Sequence, residues 1–166
     1  LTYIEGRLGG FEADSKPSAI VSALGKDREV FADFYKYQIA RGALAFATAT
    51  KAADRRTFRC VGPITYATPQ RLQADLDMFR AAIGDDTSEY FFTTTAPASF
   101  EPYHTNSYYA STEEFLGAMG EALRVEYEMI AKAGFLVQVD DAWLVALWDR
   151  IGMQMGLEAF KKFCML

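Results

Sequence analysis

The chain has 166 residues, 51% apolar and 23% charged, and its 17 basic and 22 acidic side chains leave a net charge of −5. This is enough chain for one domain with a sizeable core, in the composition of an ordinary globular protein. No basic cluster exceeds "DRR" at 54–56 or "KK" at 161–162, and no apolar run nears the ~20 residues of a membrane-spanning helix, so neither nucleic acid nor a membrane is an expected partner.

Residues 1–16 are glycine-rich and read as irregular, and "SAIVSALG" after Pro17 reads as a short helix. The aromatic, alanine-rich stretch 27–52 has loosely helical spacing. From there one plan repeats three times. "TFRCVGPITY" (57–66) has the β-branched and aromatic content of a strand, with Pro63 expected to mark an irregular end. A helix follows: Thr68 is placed to cap it, Pro69 suits its first position, and Gly84 ends it. Leu72, Leu76, Phe79 and Ile83 keep helical spacing between those limits.

The second strand is "EYFFTTT" (89–95), followed by a polar loop and a long helix. Ser111 and Glu114 have the spacing of a capping box. Phe115, Met119, Leu123, Tyr127 and Ile130 form the expected buried stripe, and Gly134 closes the helix. The third strand is "FLVQVD" (135–140), and the remainder reads as helix broken near Gly152 or Gly156. Strand–helix alternation at this spacing predicts an α/β fold with a parallel sheet and right-handed crossovers. Near-continuous apolar strands imply cover on both faces. No strand is followed by a glycine-rich phosphate loop, which favours a partial (β/α)8 TIM barrel over a nucleotide-binding sheet. Parallel strands are expected near 57–66, 89–95 and 135–140. The chain opens on Leu1 and stops at "KKFCML" without a polar tail, so residues 1–166 read as a single segment of one barrel domain within a longer polypeptide. The cut sheet edges would favour a homo-oligomer.

In such barrels the site lies at the C-terminal ends of the strands. On the third strand, Leu136, Gln138 and Asp140 share one face, and Phe135, Val137 and Val139 share the other. The apolar face suits the helix layer, which points Gln138 and Asp140 into the barrel mouth, with Asp141 just beyond. A carboxylate held there needs a cationic or hydrogen-bonding partner. Alternatively, Asp141 caps the next helix at Ala142. Ser99, on the turn after the second strand, is a hydrogen-bonding or turn-making group. Tyr103, His104, Tyr108 and Tyr109 either line a pocket or pin a long loop. Cys60 and Cys164 form no CxxC or CxH spacing and read as reduced thiols of a cytoplasmic protein. With one histidine and two scattered cysteines, no metal site is expected within this chain.

"RLGGFE", "CVGPITY", "TTTAPASF", "NSYYASTEEFLGAMGEALRVEYEMIAKAGFLVQVDDAWL" and "LWDRIGMQMGLEAFKKFC" occur in that order. Together they resemble the catalytic-barrel family of cobalamin-independent methionine synthase, and more closely its short single-barrel relatives, which include the epoxyalkane:coenzyme M transferases. The resemblance implies zinc-dependent methyl or alkyl transfer to a thiol, with a small-molecule thiol and a methyl or alkyl donor as partners. Zinc in that family holds the acceptor as a thiolate. Asp140 takes the place of the acid that holds the homocysteine amine. Asp141 stands where the synthases carry Glu, and Ala142 where they carry Pro. The family's zinc ligands, a His-x-Cys motif and a later Cys, lie beyond this sequence, as does its opening strand. The segment alone is therefore expected to be inactive, contributing Asp140, Asp141, Gln138 and Ser99 to substrate binding. A non-catalytic barrel fragment and a barrel lyase or decarboxylase are the alternatives.

Overall fold

The computed structural model of the protein describes residues 6–14, 25–40, 57–86, 88–100, 104–141 and 143–165. The helix expected after Pro17 and the 41–52 part of the alanine-rich stretch lie outside them. Helices α1 (Lys26–Val30) and α2 (Ala32–Ala40) occupy the described part of that stretch.

β2, Thr57–Tyr66, forms where the sequence places it. The glycine-rich start, read as irregular, instead contains β1, Leu8–Asp14, which runs antiparallel to β2 from Leu8 opposite Tyr66 to Asp14 opposite Thr57. A register shift between Gly9 and Phe11 breaks the ladder. There Gly10 takes φ 91°, and a Cβ on it would stand 2.5 Å from the carbonyl oxygen of Pro63. Only glycine fits that passage, and Pro63 falls in a bulge, where a strand tolerates a missing N–H. Pro63 thus does not end its strand.

α3 (Pro69–Ile83) buries Leu72 and Leu76, each contributing on the order of 1.5–3 kcal/mol of apolar burial. Its expected cap is different in detail. The Thr68 hydroxyl donates to the Gly6 carbonyl at 3.1 Å and makes no capping bond, so it ties α3 to the chain ahead of β1. β3 (Phe91–Thr95) leads into a single 3-10 turn, Pro97–Ser99, and a three-residue strand, β4 (His104–Asn106). α4 (Thr112–Lys132) opens on the predicted capping box: Ser111 Oγ accepts from the Glu114 N–H at 3.1 Å. The Glu114 carboxylate reaches back to the Ala110 N–H, also at 3.1 Å.

β5 (Leu136–Asp140) pairs parallel with β3, from Phe91 opposite Leu136 to Thr95 opposite Asp140. Short helices α5 (Trp143–Leu147) and α6 (Met153–Met155) flank a wide π-type turn at Trp148–Gly152. Gly156, at φ 81°, separates them from α7 (Leu157–Cys164), one of the two glycines the sequence offered for this break.

The fold is mixed α/β with parallel strands, but the expected run of three neighbouring parallel strands does not form. Among the described residues β2 lies between antiparallel β1 and parallel β4, while β3 and β5 make a separate sheet. No closed barrel is present among them. β1 pairs along β2 and β4 pairs with its first half only, Phe58–Cys60, while the Glu126 side chain on α4 hydrogen-bonds both Tyr66 of β2 and Thr94 of β3. That helix spans both cores. Phe115, Leu116, Met119, Ala122 and Leu123 pack with Leu8, Cys60, Ile64 and Phe100, and Ile130 packs with Leu72, Leu76 and Phe135.

Candidate functional site

The exits of β3 and β5 bring Ser99, Asp140 and Asp141 to one end of their sheet, with Gln138 at mid-strand opposite Thr93. The two strands are in register to their tips, and the ladder extends one step further as the Ala96 N–H donates to the Asp140 carbonyl at 3.0 Å. The chain after β3 then winds into the Pro97–Ser99 turn, closed by Ser99 N–H to Ala96 carbonyl at 3.1 Å. A second anchor is the Tyr127 hydroxyl, which donates to the Thr95 carbonyl at 2.7 Å. This turn carries Ser99 inward: it is 2% exposed, and its hydroxyl donates to the Asp141 carboxylate at 3.4 Å.

Gln138 and Asp140 are exposed on the face that also carries Leu136, and Phe91, the register partner of Leu136, is equally open. Phe91 and Leu136, the first pair of the ladder, are each 55% exposed, a large apolar exposure for a parallel pair. The opposite face follows the expected helix-side packing at its base, where Phe135 is buried against Leu72, Leu76 and Ile130 and Val137 packs on the same cluster. It does not at its tip, where Val139 is 48% exposed: the helices cover the start of β5 and not its end.

Asp141 is exposed as well. It lines a cavity of about 50 Å³ with Ala98, Leu116, Leu144, Leu147, Phe163 and Cys164. Burial, with the Asp141 charge adding, raises the Cys164 thiol above its usual range, which makes it a poor thiolate. Ala142, the position Asp141 was expected to cap, lies outside the described residues.

The aromatic loop resolves toward pinning. The His104 ring is 5% exposed, stacks on Phe58, and meets Phe11 and Phe100 edge-on. Nδ1–H donates to the Phe100 carbonyl at 2.8 Å. Burial pushes its pKa down to about 4, against the pull of that carbonyl, so the ring is neutral near pH 7. Tyr109 accepts the Ile64 N–H at 2.9 Å, fastening the loop to β2. Tyr103 lies outside the described residues.

Sequence reasoning missed Glu126. It is fully buried on α4 and accepts from the Tyr66 hydroxyl at 2.5 Å, the Thr94 hydroxyl at 2.7 Å and Arg7 at 3.3 Å. Arg7 also pairs with Asp75. The available signal was an acid one residue from a stripe position: Glu126 and Tyr127 both fit helical spacing between Leu123 and Ile130, and polarity points the wrong way.

Among the described residues no three His, Cys, Asp or Glu side chains converge as a set that could hold a metal ion, so the residues present do not fit the zinc that the family resemblance implies. Among the same residues no helix is long and apolar enough to cross a membrane. Comparison with known protein families, curated proteins and solved structures finds no match.

Proposed function

We propose that this chain is part of a barrel enzyme of the cobalamin-independent methionine synthase type, transferring a methyl or alkyl group to a small thiol. One observation carries the reading. Parallel strands β3 and β5 end together, and their exits gather Ser99, Asp140 and Asp141 beside an open sheet face bearing Gln138. That is where a parallel α/β barrel assembles its chemistry. The exposure of Phe91 and Leu136 on the same face fits a sheet that further strands complete. Among the described residues no set of three zinc ligands converges. What this chain contributes is binding: Asp140 offers an anionic acceptor to a substrate ammonium group, and Gln138, two residues back on the same face, offers both a donor and an acceptor.

The test is turnover by the complete polypeptide that carries this segment. Homocysteine and coenzyme M are offered with methyl and epoxide donors, and thioether formation is followed by mass spectrometry with and without a chelator. Thioether that disappears on chelation is the expected result. Absence of thioether from every pair overturns the reading, and thioether that forms regardless of chelator overturns its zinc dependence.

A further inference from the structure

Two adjacent carboxylates, both exposed, stand at the tip of β5, and they meet different surroundings. Asp140 lies on the open face with Gln138 and Leu136. Asp141, exposed as well, lines the small cavity with Leu144, Leu147 and Phe163 and accepts the buried Ser99 hydroxyl at 3.4 Å. Ser99, at 2% exposure, cannot reach a substrate without moving its turn. Its bond to Asp141 instead joins the exit of β3 to the exit of β5, one residue beyond the Ala96–Asp140 backbone bond.

We propose that Asp141 and Ser99 are positioning residues: their hydrogen bond clamps the two strand exits together and fixes where the Asp140 carboxylate stands, leaving Asp140 alone to receive the substrate amine. The proposal rests on the thiol-transfer reading above and deepens it by dividing the acids. What Asp141 must provide is an acceptor for Ser99, not a charge. Asparagine keeps a carbonyl acceptor and alanine does not, so the two substitutions separate a clamp from a charged ligand.

The experiment measures binding to the complete polypeptide by calorimetry, with homocysteine and with 4-mercaptobutyrate, the same thiol acid without its amine. Asp140→Asn is expected to weaken homocysteine about tenfold or more, the value of one charged hydrogen bond, and to leave 4-mercaptobutyrate unchanged. Asp141→Ala and Ser99→Ala are expected to weaken homocysteine severalfold, and the double variant no further, because both remove one shared bond. Asp141→Asn and Ser99→Thr keep that bond and stay within about twofold of the parent. If Asp141→Asn binds homocysteine as poorly as Asp141→Ala, the Asp141 charge acts directly and the proposal is wrong. It is equally wrong if Asp141→Ala binds like the parent. Should Asp141→Ala fail to fold, the Asn variant decides: unchanged affinity supports the clamp, and weakened affinity overturns it. If the parent itself does not prefer homocysteine over 4-mercaptobutyrate, the thiol-transfer reading fails first and this proposal with it.

Discussion

Glu126→Ala removes the carboxylate that, alone among the described residues, is fully buried and touches both sheets. In the folded chain Glu126 accepts from Tyr66 on β2, Thr94 on β3 and Arg7 just ahead of β1. Each hydrogen bond to a charged group is worth about 1.5–3 kcal/mol in isolation, but the three share one acceptor and do not add. The relevant comparison is a buried ion pair broken from one side, about 3–5 kcal/mol, because Arg7 and Thr94, 6% and 3% exposed in the folded chain, lose a buried acceptor. Arg7 retains Asp75, which places the expected loss toward the lower end. Against a total stability of about 5–15 kcal/mol, the variant sits near the edge of folding. Urea unfolding of this chain, followed by far-UV circular dichroism, should give a much lower midpoint with an unchanged slope. A matched control replaces the donors as well, with Tyr66→Phe, Thr94→Val and Arg7→Met beside Glu126→Leu. An apolar set of similar volume should recover most of the loss. A midpoint shift worth under about 1 kcal/mol for Glu126→Ala would refute the argument, since a buried carboxylate with three donors cannot leave at surface cost.

Two further outcomes follow from single residues. The His104 pKa falls from 6.5 to about 4 on folding, so the folded state holds it neutral while the unfolded chain takes up a proton below pH 6.5. That contribution is fully present above pH 6.5 and is lost as pH falls toward 4, to a total of about 3 kcal/mol; the difference in urea midpoint between the parent and His104→Phe should change across that window and stay flat above it. Gly10→Ala places a methyl 2.5 Å from the Pro63 carbonyl at φ 91°, so it should cost more than the roughly 1 kcal/mol of an ordinary strained glycine site, and amide exchange should show β1 opening from β2; an unaltered midpoint would mean that the bulge gives way freely.

The helices were the most legible part of the chain. Ser111 and Glu114 announce α4 because a capping box is a local device, complete within four residues. The strands at 57–66, 89–95 and 135–140 were visible from side-chain content, and β3 and β5 pair in parallel as read. What escaped was everything requiring knowledge of a partner. "LGGFEAD" looks irregular until Pro63 stands opposite Gly10, and "HTN" is too short to read as a strand without Phe58–Cys60 beside it. Thr68 was assigned the nearest orphan amide and found Gly6 instead. Glu126 shows the limit of periodicity: spacing allowed it inside, composition argued for outside, and only the convergence of Arg7, Tyr66 and Thr94 decides.

That convergence bears on the strand tips themselves. Tyr66 is the last residue of β2, and Thr94 stands one residue before the end of β3, whose final residue faces Asp140. Glu126 therefore draws the C-terminal tip of β2 to that of β3, and the parallel ladder carries the alignment on to β5. The C-terminal tips of β2, β3 and β5 thus meet at one end of the molecule, although only one of the two junctions is a backbone ladder. A side-chain junction has a different consequence from a ladder: it fixes the tips and leaves the strand edges unpaired with each other. Tip alignment and edge pairing are separable here, so a variant at Glu126 should disturb the tip of β2 relative to β3 while the β3–β5 register, and with it the Ser99–Asp141 bond, persists.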